Sequence, residues 1–209
     1  MTSPAVYHVA IDGPVAAGKG TAAKALAKRL GIACLDTGAI YRGVALAYLT
    51  HDHKLPEHID LAAKIIDNVT HIFLNGTDVT GQLRNNEISV AASQMGGIPE
   101  VRKLAIKISQ DIAKNHSMVM EGRDICSVVL PDAKYKFFLT AKAKLRARRR
   151  FEELRARGVA IKFRQVLRET KQRDKNDAKN LVQTPDAIVI DSTRLTVDQM
   201  VEYMLRYIL

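Results

Sequence analysis

Short apolar runs alternate along this chain with longer segments in which apolar residues recur every three or four positions. The runs at residues 6–11, 32–35, 118–120, 136–139 and 187–190 are rich in Val, Ile and Leu and predict strands. The periodic segments predict helices over 19–30, 39–50, 57–67, 100–114, 142–157, 163–175 and 196–207. Strands separated by helices need right-handed crossovers, so the expected class is α/β: a five-stranded parallel sheet between two helical layers. Ligands of such sheets gather at the carboxyl ends of the strands.

Two stretches interrupt the alternation. Residues 68–97 hold the turn signals Asn75-Gly76 and Thr80-Gly81 around short β-prone pieces such as His71-Ile72-Phe73-Leu74, and read as a small insertion. Residues 141–180 read as a basic helical hairpin turning at Arg157-Gly158. Neither resembles a flexible linker, and no repeat or low-complexity tract is visible. The 209 residues therefore form a single domain in this reading.

Polar clusters stand where the strands end. The first strand runs into Gly13-Pro14-Val15-Ala16-Ala17-Gly18-Lys19-Gly20-Thr21 and then a helix. Strand, Gly-rich turn and helix together make a phosphate cradle. The loop's N–H groups converge on a polyphosphate, the helix adds its positive end, and Lys19 adds a point charge. The alternative is a tight turn with a solvent-exposed lysine. Ser or Thr usually follows the lysine of such a loop as a magnesium ligand; Gly20 stands there, with the hydroxyl one place later at Thr21. Thr21 is expected to bond a phosphate oxygen, and water to complete the metal's shell.

The second strand leads into Asp36-Thr37-Gly38-Ala39-Ile40-Tyr41-Arg42 and the third into Glu121-Gly122-Arg123-Asp124. Between them lie Ala91-Ala92-Ser93-Gln94 and Arg102. Arg173-Asp174-Lys175-Asn176-Asp177 closes the basic hairpin, and Asp191-Ser192-Thr193 follows the last strand. Thr37 can bond a base or a phosphate, and Arg42 and Arg123 can clamp a monophosphate in two-point fashion. An ionised Asp124 only accepts, which suits an exocyclic amine. Each residue also has a plain reading: Asp124 paired with Arg123 or capping a helix, Tyr41 at the edge of the core, Arg102 on a helix surface.

As an ordered set these motifs closely resemble bacterial-type cytidylate kinases over residues 5–207. The G-K-G-T form of the loop is similar to that of nucleoside-monophosphate kinases in general. The resemblance implies a three-layer P-loop kinase fold that transfers the γ-phosphate of ATP to CMP or dCMP. Gly13 to Thr21 would hold the ATP phosphates. Ser93, Arg102 and Asp124 would read the cytosine edge, and Thr37, Tyr41, Arg42 and Arg123 would sit at the acceptor. Arg173 and Asp177 would meet its sugar and phosphate, Asp177 through ribose hydroxyls. The 68–97 insertion would serve the acceptor, and 141–180 would be a lid carrying Arg146, Arg149 and Arg150 over the transferring phosphate. Lys19, Arg123, Arg149 and Arg150 would be the catalytic cations. Asn180 stands where the family pattern usually has an arginine, with Lys179 one place earlier.

Composition agrees with this reading. Apolar residues make up 47% of the chain but Trp is absent, so the core should be built from Ala, Val, Ile and Leu. The net charge of +10 fits an enzyme of several phosphates or a nucleic-acid binder. The excess falls in the hairpin, where no aromatic ladder accompanies it, and no specific nucleic acid is expected. Cys34 and Cys126 form no metal spacing, so no protein metal site is expected and Mg2+ would travel with ATP. No apolar run approaches the ~18 residues of a membrane span. Met1-Thr2-Ser3-Pro4 lacks the regions of a signal peptide, and a cytoplasmic monomer is the expectation. The alternatives are a UMP/CMP or adenylate kinase, a basic P-loop protein binding RNA, and a GTP switch.

Overall fold

The computed structural model describes residues 6–209, so the reading of Met1–Pro4 lies outside it. Strands β1 (His8–Asp12), β2 (Ala33–Asp36), β6 (Met118–Glu121), β7 (Tyr135–Thr140) and β8 (Ile188–Asp191) form the parallel centre of the sheet, in the order β2-β6-β1-β7-β8. All five expected strands are there. Alternation assigns their side chains to two cores, one per face. Val9, Ile11, Val119, Phe137 and Leu139 pack with α1 (Lys19–Leu30) and α7 (Val197–Ile208) through Leu26, Met204 and Leu205. Ala10, Leu35, Met118 and Met120 face the other way, toward Ile40 and Val44 of α2 (Thr37–Thr50) and Val101 and Ala105 of α4 (Pro99–Ala113). This sandwich is the expected three-layer arrangement.

The sheet is larger than expected. It has eight strands, because β3 (Leu61–Ile66), β4 (Val69–Leu74) and β5 (Thr77–Asp78) extend it beyond β2. The helix expected over 57–67 is instead β3, paired antiparallel with β4 from Leu61↔Leu74 to Ile66↔Val69. The reversal is made by Asp67 and Asn68, both at positive φ (50° and 61°), a two-residue turn whose twist matches the hairpin. Asn75-Gly76 makes the next reversal, as expected. The extra substructure thus begins near residue 61 and is not wholly β-prone, because α3 (Asn86–Met95) completes it. The Asn85 side chain caps α3 by accepting from the Glu87 N–H at 2.9 Å.

The basic stretch is a helical hairpin, α5 (Ala143–Ala156) and α6 (Phe163–Asp177). Phe151 packs edge-on against Phe163, with ring centroids 5.8 Å apart, and Leu154 and Val166 are buried between the two helices and their neighbours. Among the described residues no helix is long and apolar enough to cross a membrane.

Candidate active site

The Gly-rich loop joins β1 to α1 over the carboxyl edge of the sheet. Gly13 has φ 147°, and a Cβ there would lie 2.0 Å from the Leu139 carbonyl oxygen, so the loop leaves β1 in contact with β7 backbone and only Gly fits. Gly18 at φ 99° caps α1, which carries Lys28 and Arg29 in its last turn and no acidic residue in its first. The N-terminal end of α1 therefore keeps its positive character for an anion.

Lys19 is buried rather than solvent-exposed. Its Nζ donates to the Pro14 carbonyl at 3.0 Å and lies 3.9 Å from Glu121 Oε2. Burial, aided by the nearby Arg123 charge, lowers its pKa to about 8, against the pull of Glu121 and Asp12. Glu121 is pushed the other way, to about 7, by burial and by the neighbouring Asp36 carboxylate. Thr21 lies in the first turn of α1 and is exposed.

Side chains from two other parts of the chain, the segment after β8 and the helix α5, brace the loop. Ser192, fully buried after β8, donates from Oγ to the Ala17 carbonyl at 2.7 Å. Arg149 donates to Ser192 Oγ and to its carbonyl, at 3.1 and 2.7 Å. Arg146 is also buried. It donates to the Val15 carbonyl at 3.1 Å and grips Asp174 of α6 with two bonds of 2.8 Å. Arg146 thus links the loop to α6.

Facing the loop, the turn after β6 carries Arg123 and Asp124. The fully buried Asp12 holds that turn by accepting from the N–H groups of Ile125 and Cys126 at 2.9 and 2.8 Å. Asp124 pairs with Arg102 of α4 at 2.5 Å, and Arg123 pairs with Asp177 at the end of α6 at 2.6 Å. The plain alternative that Asp124 pairs with Arg123 is therefore overturned, because each takes a distant partner. Tyr41 stands beside the Arg102–Asp124 pair, and its hydroxyl pKa is raised by burial despite the nearby Arg102. Ser93 Oγ, on α3, is buried with no hydrogen-bond partner among the described residues. Arg42 pairs with Asp36 at 2.6 Å, while the Thr37 hydroxyl donates to the Glu121 carbonyl at 2.8 Å, tying α2 to β6.

Arg173 has no carboxylate partner among the described residues. It donates to the Ser89 carbonyl at 2.6 Å, and Arg150 donates to Asn86 Oδ1 at 3.2 Å and to Glu153. Burial, together with the charges of Arg150 and Arg123, lowers the Arg173 pKa below its usual value. Arg123 and Arg150 each have a carboxylate partner, so Arg173 is the one of the three without one among the described residues. Asn180 only continues the backbone after α6, its N–H bonding the Asp177 carbonyl at 2.9 Å, and Lys179 is exposed.

Among the described residues Arg146 and Arg149 bond the phosphate loop, Arg102 pairs with Asp124, Arg123 with Asp177 and Arg42 with Asp36, while Thr21 is exposed in the first turn of α1. Sequence reasoning gave no role to Asp12, Glu121, Asp174 or Ser192. Only their positions at strand or helix ends signalled them.

Comparisons with known proteins agree with this geometry. The family model described as cytidylate kinase matches residues 9–209. A cytidylate kinase of Caldicellulosiruptor saccharolyticus is 44% identical over 95% of this chain and 93% of its own length. One from Fervidobacterium nodosum is 42% identical, covering 94% of each, and one from Pasteurella multocida is 40% identical, covering 96% and 94%. Among solved structures, a shikimate kinase from Bacteroides thetaiotaomicron is only 14% identical but superposes with a TM-score of 0.54 over 98% of this chain and 99% of its own, a likeness of fold alone. The phosphate loop, the facing Arg102–Asp124 pair and the extent of these matches together establish that the chain belongs to the cytidylate kinase family.

Proposed function

We propose that this protein transfers the γ-phosphate of ATP to CMP or dCMP, giving ADP and CDP or dCDP. The observation that carries the reading is the Arg102–Asp124 pair opposite the phosphate loop. The carboxylate accepts from the 4-amino group of cytosine, and the guanidinium donates to the adjacent ring acceptors. Uracil presents a carbonyl where cytosine has the amine, which sets two acceptors face to face.

ATP lies with its phosphates on the backbone of Gly13 to Thr21, and Lys19 leaves the Pro14 carbonyl for a phosphate oxygen. Arg42, Arg123 and Arg173 hold the acceptor phosphate, while Tyr41, Thr37 and Ser93 line its nucleoside. Asp177 meets the ribose. Arg149 and Arg150 stabilise charge on the transferring group, which needs alignment and charge neutralisation and no covalent intermediate. Arg146 acts on ATP through the loop it braces. The α5–α6 hairpin closes as a lid and excludes water, and the 61–95 substructure carries the acceptor.

Magnesium comes with ATP in this reading. Gly20 offers no hydroxyl, but the Asp36 and Glu121 carboxylates at adjacent strand ends, close to Lys19, are hard oxygen donors of the kind a largely hydrated Mg2+ takes. When bound, it neutralises phosphate charge. The reading includes a cytoplasmic monomer.

The test is ADP formation with CMP, dCMP, UMP, AMP and GMP as acceptors. CMP and dCMP should exceed UMP in kcat/KM by the cost of one unmet buried polar group, about 1–3 kcal/mol, or roughly five- to 150-fold. Equal values for CMP and UMP would remove Asp124 as the base reader.

A further inference from the structure

The charge of this chain is confined to one place. Of its 32 Lys and Arg residues, 14 lie within residues 142–175, against four of its 22 Asp and Glu residues, which leaves 18 of each sign elsewhere. The hairpin therefore carries the whole net charge of +10. Part of it faces the active site through Arg146, Arg149, Arg150 and Arg173, already described. A further part lies on the outer side of the hairpin's second helix.

Arg164, Arg168, Lys171 and Lys175 follow one another at helical spacing along the outer side of α6, opposite the inward residues Val166, Thr170 and Arg173. All four are exposed. They line a shallow groove of about 400 Å3 together with Leu167 and Gln172. Among the described residues none of the four pairs with a carboxylate, whereas Arg146, Arg150 and Arg157 of the same hairpin all do. From Arg164 to Lys175 the track runs about 16 Å along the helix axis. Four unpaired like charges in a row repel one another and contribute nothing to folding. They produce a local field that a row of phosphates neutralises.

We propose that this outer face of α6 is a docking track for single-stranded nucleic acid, held through its phosphates without reading sequence. The linear order of the cations and the concave groove suit a strand. A membrane surface would need a wide apolar face beside the cations, and Leu167 alone does not provide one. No aromatic side chain lines the groove, so base stacking adds nothing and binding is weak and strongly dependent on salt. The proposal is independent of the reaction assigned to the opposite side of the hairpin.

The test uses the full-length protein, a fluorescein-labelled 20-nucleotide RNA of mixed sequence, and the fourfold variant R164Q/R168Q/K171Q/K175Q, which keeps good helix formers on an exposed face. Neutralising four phosphates of a single strand gives a slope of about −3 in log K against log salt. Affinity of the wild type should then fall about fiftyfold between 50 and 200 mM salt. The variant should bind at least tenfold more weakly at the lower salt, with a flattened slope, while CMP-dependent ADP formation stays within about twofold. A variant that binds RNA like the wild type overturns the proposal. So does displacement of the RNA by saturating ATP and CMP, which would locate it in the substrate site. Co-sedimentation of the wild type with phosphatidylglycerol vesicles in the absence of RNA binding would make a membrane the partner and the proposal wrong.

Discussion

Asp12→Asn tests how the acceptor side of the site is held. Asp12 is fully buried and touches no substrate in the proposed reaction, yet both of its carboxylate oxygens accept backbone N–H bonds from the turn that bears Arg123 and Asp124. Asparagine preserves the shape and one acceptor. Its NH2 group then faces a second N–H, so one charge-assisted bond is lost and one buried donor is orphaned, each costing about 1–3 kcal/mol. Part of this is offset, because burial raises the Asp12 pKa and so already penalises the native charge. The expected net loss is about 2 kcal/mol. With a urea m-value of about 2 kcal/mol/M for a domain of this size, the unfolding midpoint should fall by about 1 M. The functional effect should be asymmetric: KM for CMP should rise several-fold as Arg123 and Asp124 lose their alignment, with KM for ATP nearly unchanged. Urea unfolding and steady-state kinetics measure both. A midpoint within 0.2 M of wild type (about 0.4 kcal/mol at that m-value) together with an unchanged KM for CMP would refute the reasoning. Equal rises in both KM values would show general loosening and not a displaced turn.

Two further predictions concern the phosphate loop. Lys19 should titrate near pH 8 in the free enzyme, so kcat/KM for ATP should fall as pH rises through that value, while kcat, which reports the bound complex, should hold to higher pH; Glu121→Gln removes a charge that favours protonated Lys19 and should move the break lower, and a break that stays put would contradict the pairing. Gly13→Ala should cost about 2–5 kcal/mol and abolish the stabilisation of the fold by ATP, because the new methyl meets a strand carbonyl and not a movable side chain; thermal melts with and without ATP decide, and a variant that still gains stability from ATP would mean that the loop can leave β7.

Local chemistry was legible in the sequence and long-range partnership was not. Strand, loop and helix around Lys19 follow from residues adjacent in the chain, as do the five parallel strands and the α5–α6 hairpin. Leu61-Ala62-Ala63-Lys64-Ile65-Ile66 fits a helix as well as a strand by its own pattern. What decides between them is pairing with Val69–Leu74 across the Asp67-Asn68 turn, a weaker signal than Asn-Gly. The α3 helix was hidden because the turn signals before it coloured the whole segment as β-prone. Arg102, Arg123, Asp124 and Asp177 were visible as site residues, but their pairing was not, and Asp12, Glu121 and Asp174 had no role at all. Arg102 finds Asp124 across 22 positions and Arg123 finds Asp177 across 54, matches that only the fold can make. Arg146 is a further case: read from its motif toward an ATP phosphate, it bonds Val15 of the phosphate loop and also Asp174 of α6, a partner 28 positions away.

These pairings alter how substrate binding should be understood. Arg42, Arg102 and Arg123 are each already paired with a carboxylate and Lys19 with a carbonyl, although Arg42 Nε is buried with no partner among the described residues. Binding is therefore an exchange of partners and not the filling of an empty cationic pocket. An exchange yields less net free energy per contact, since every new bond replaces one of similar kind. In return it discriminates: a ligand that releases Arg123 from Asp177 must offer that carboxylate a new donor or leave a partly buried charge unpaired. The exception is Arg173, which bonds only the Ser89 carbonyl and lies within the field of Arg150 and Arg123. A dianion gains most there, and that is where the acceptor phosphate should first be captured.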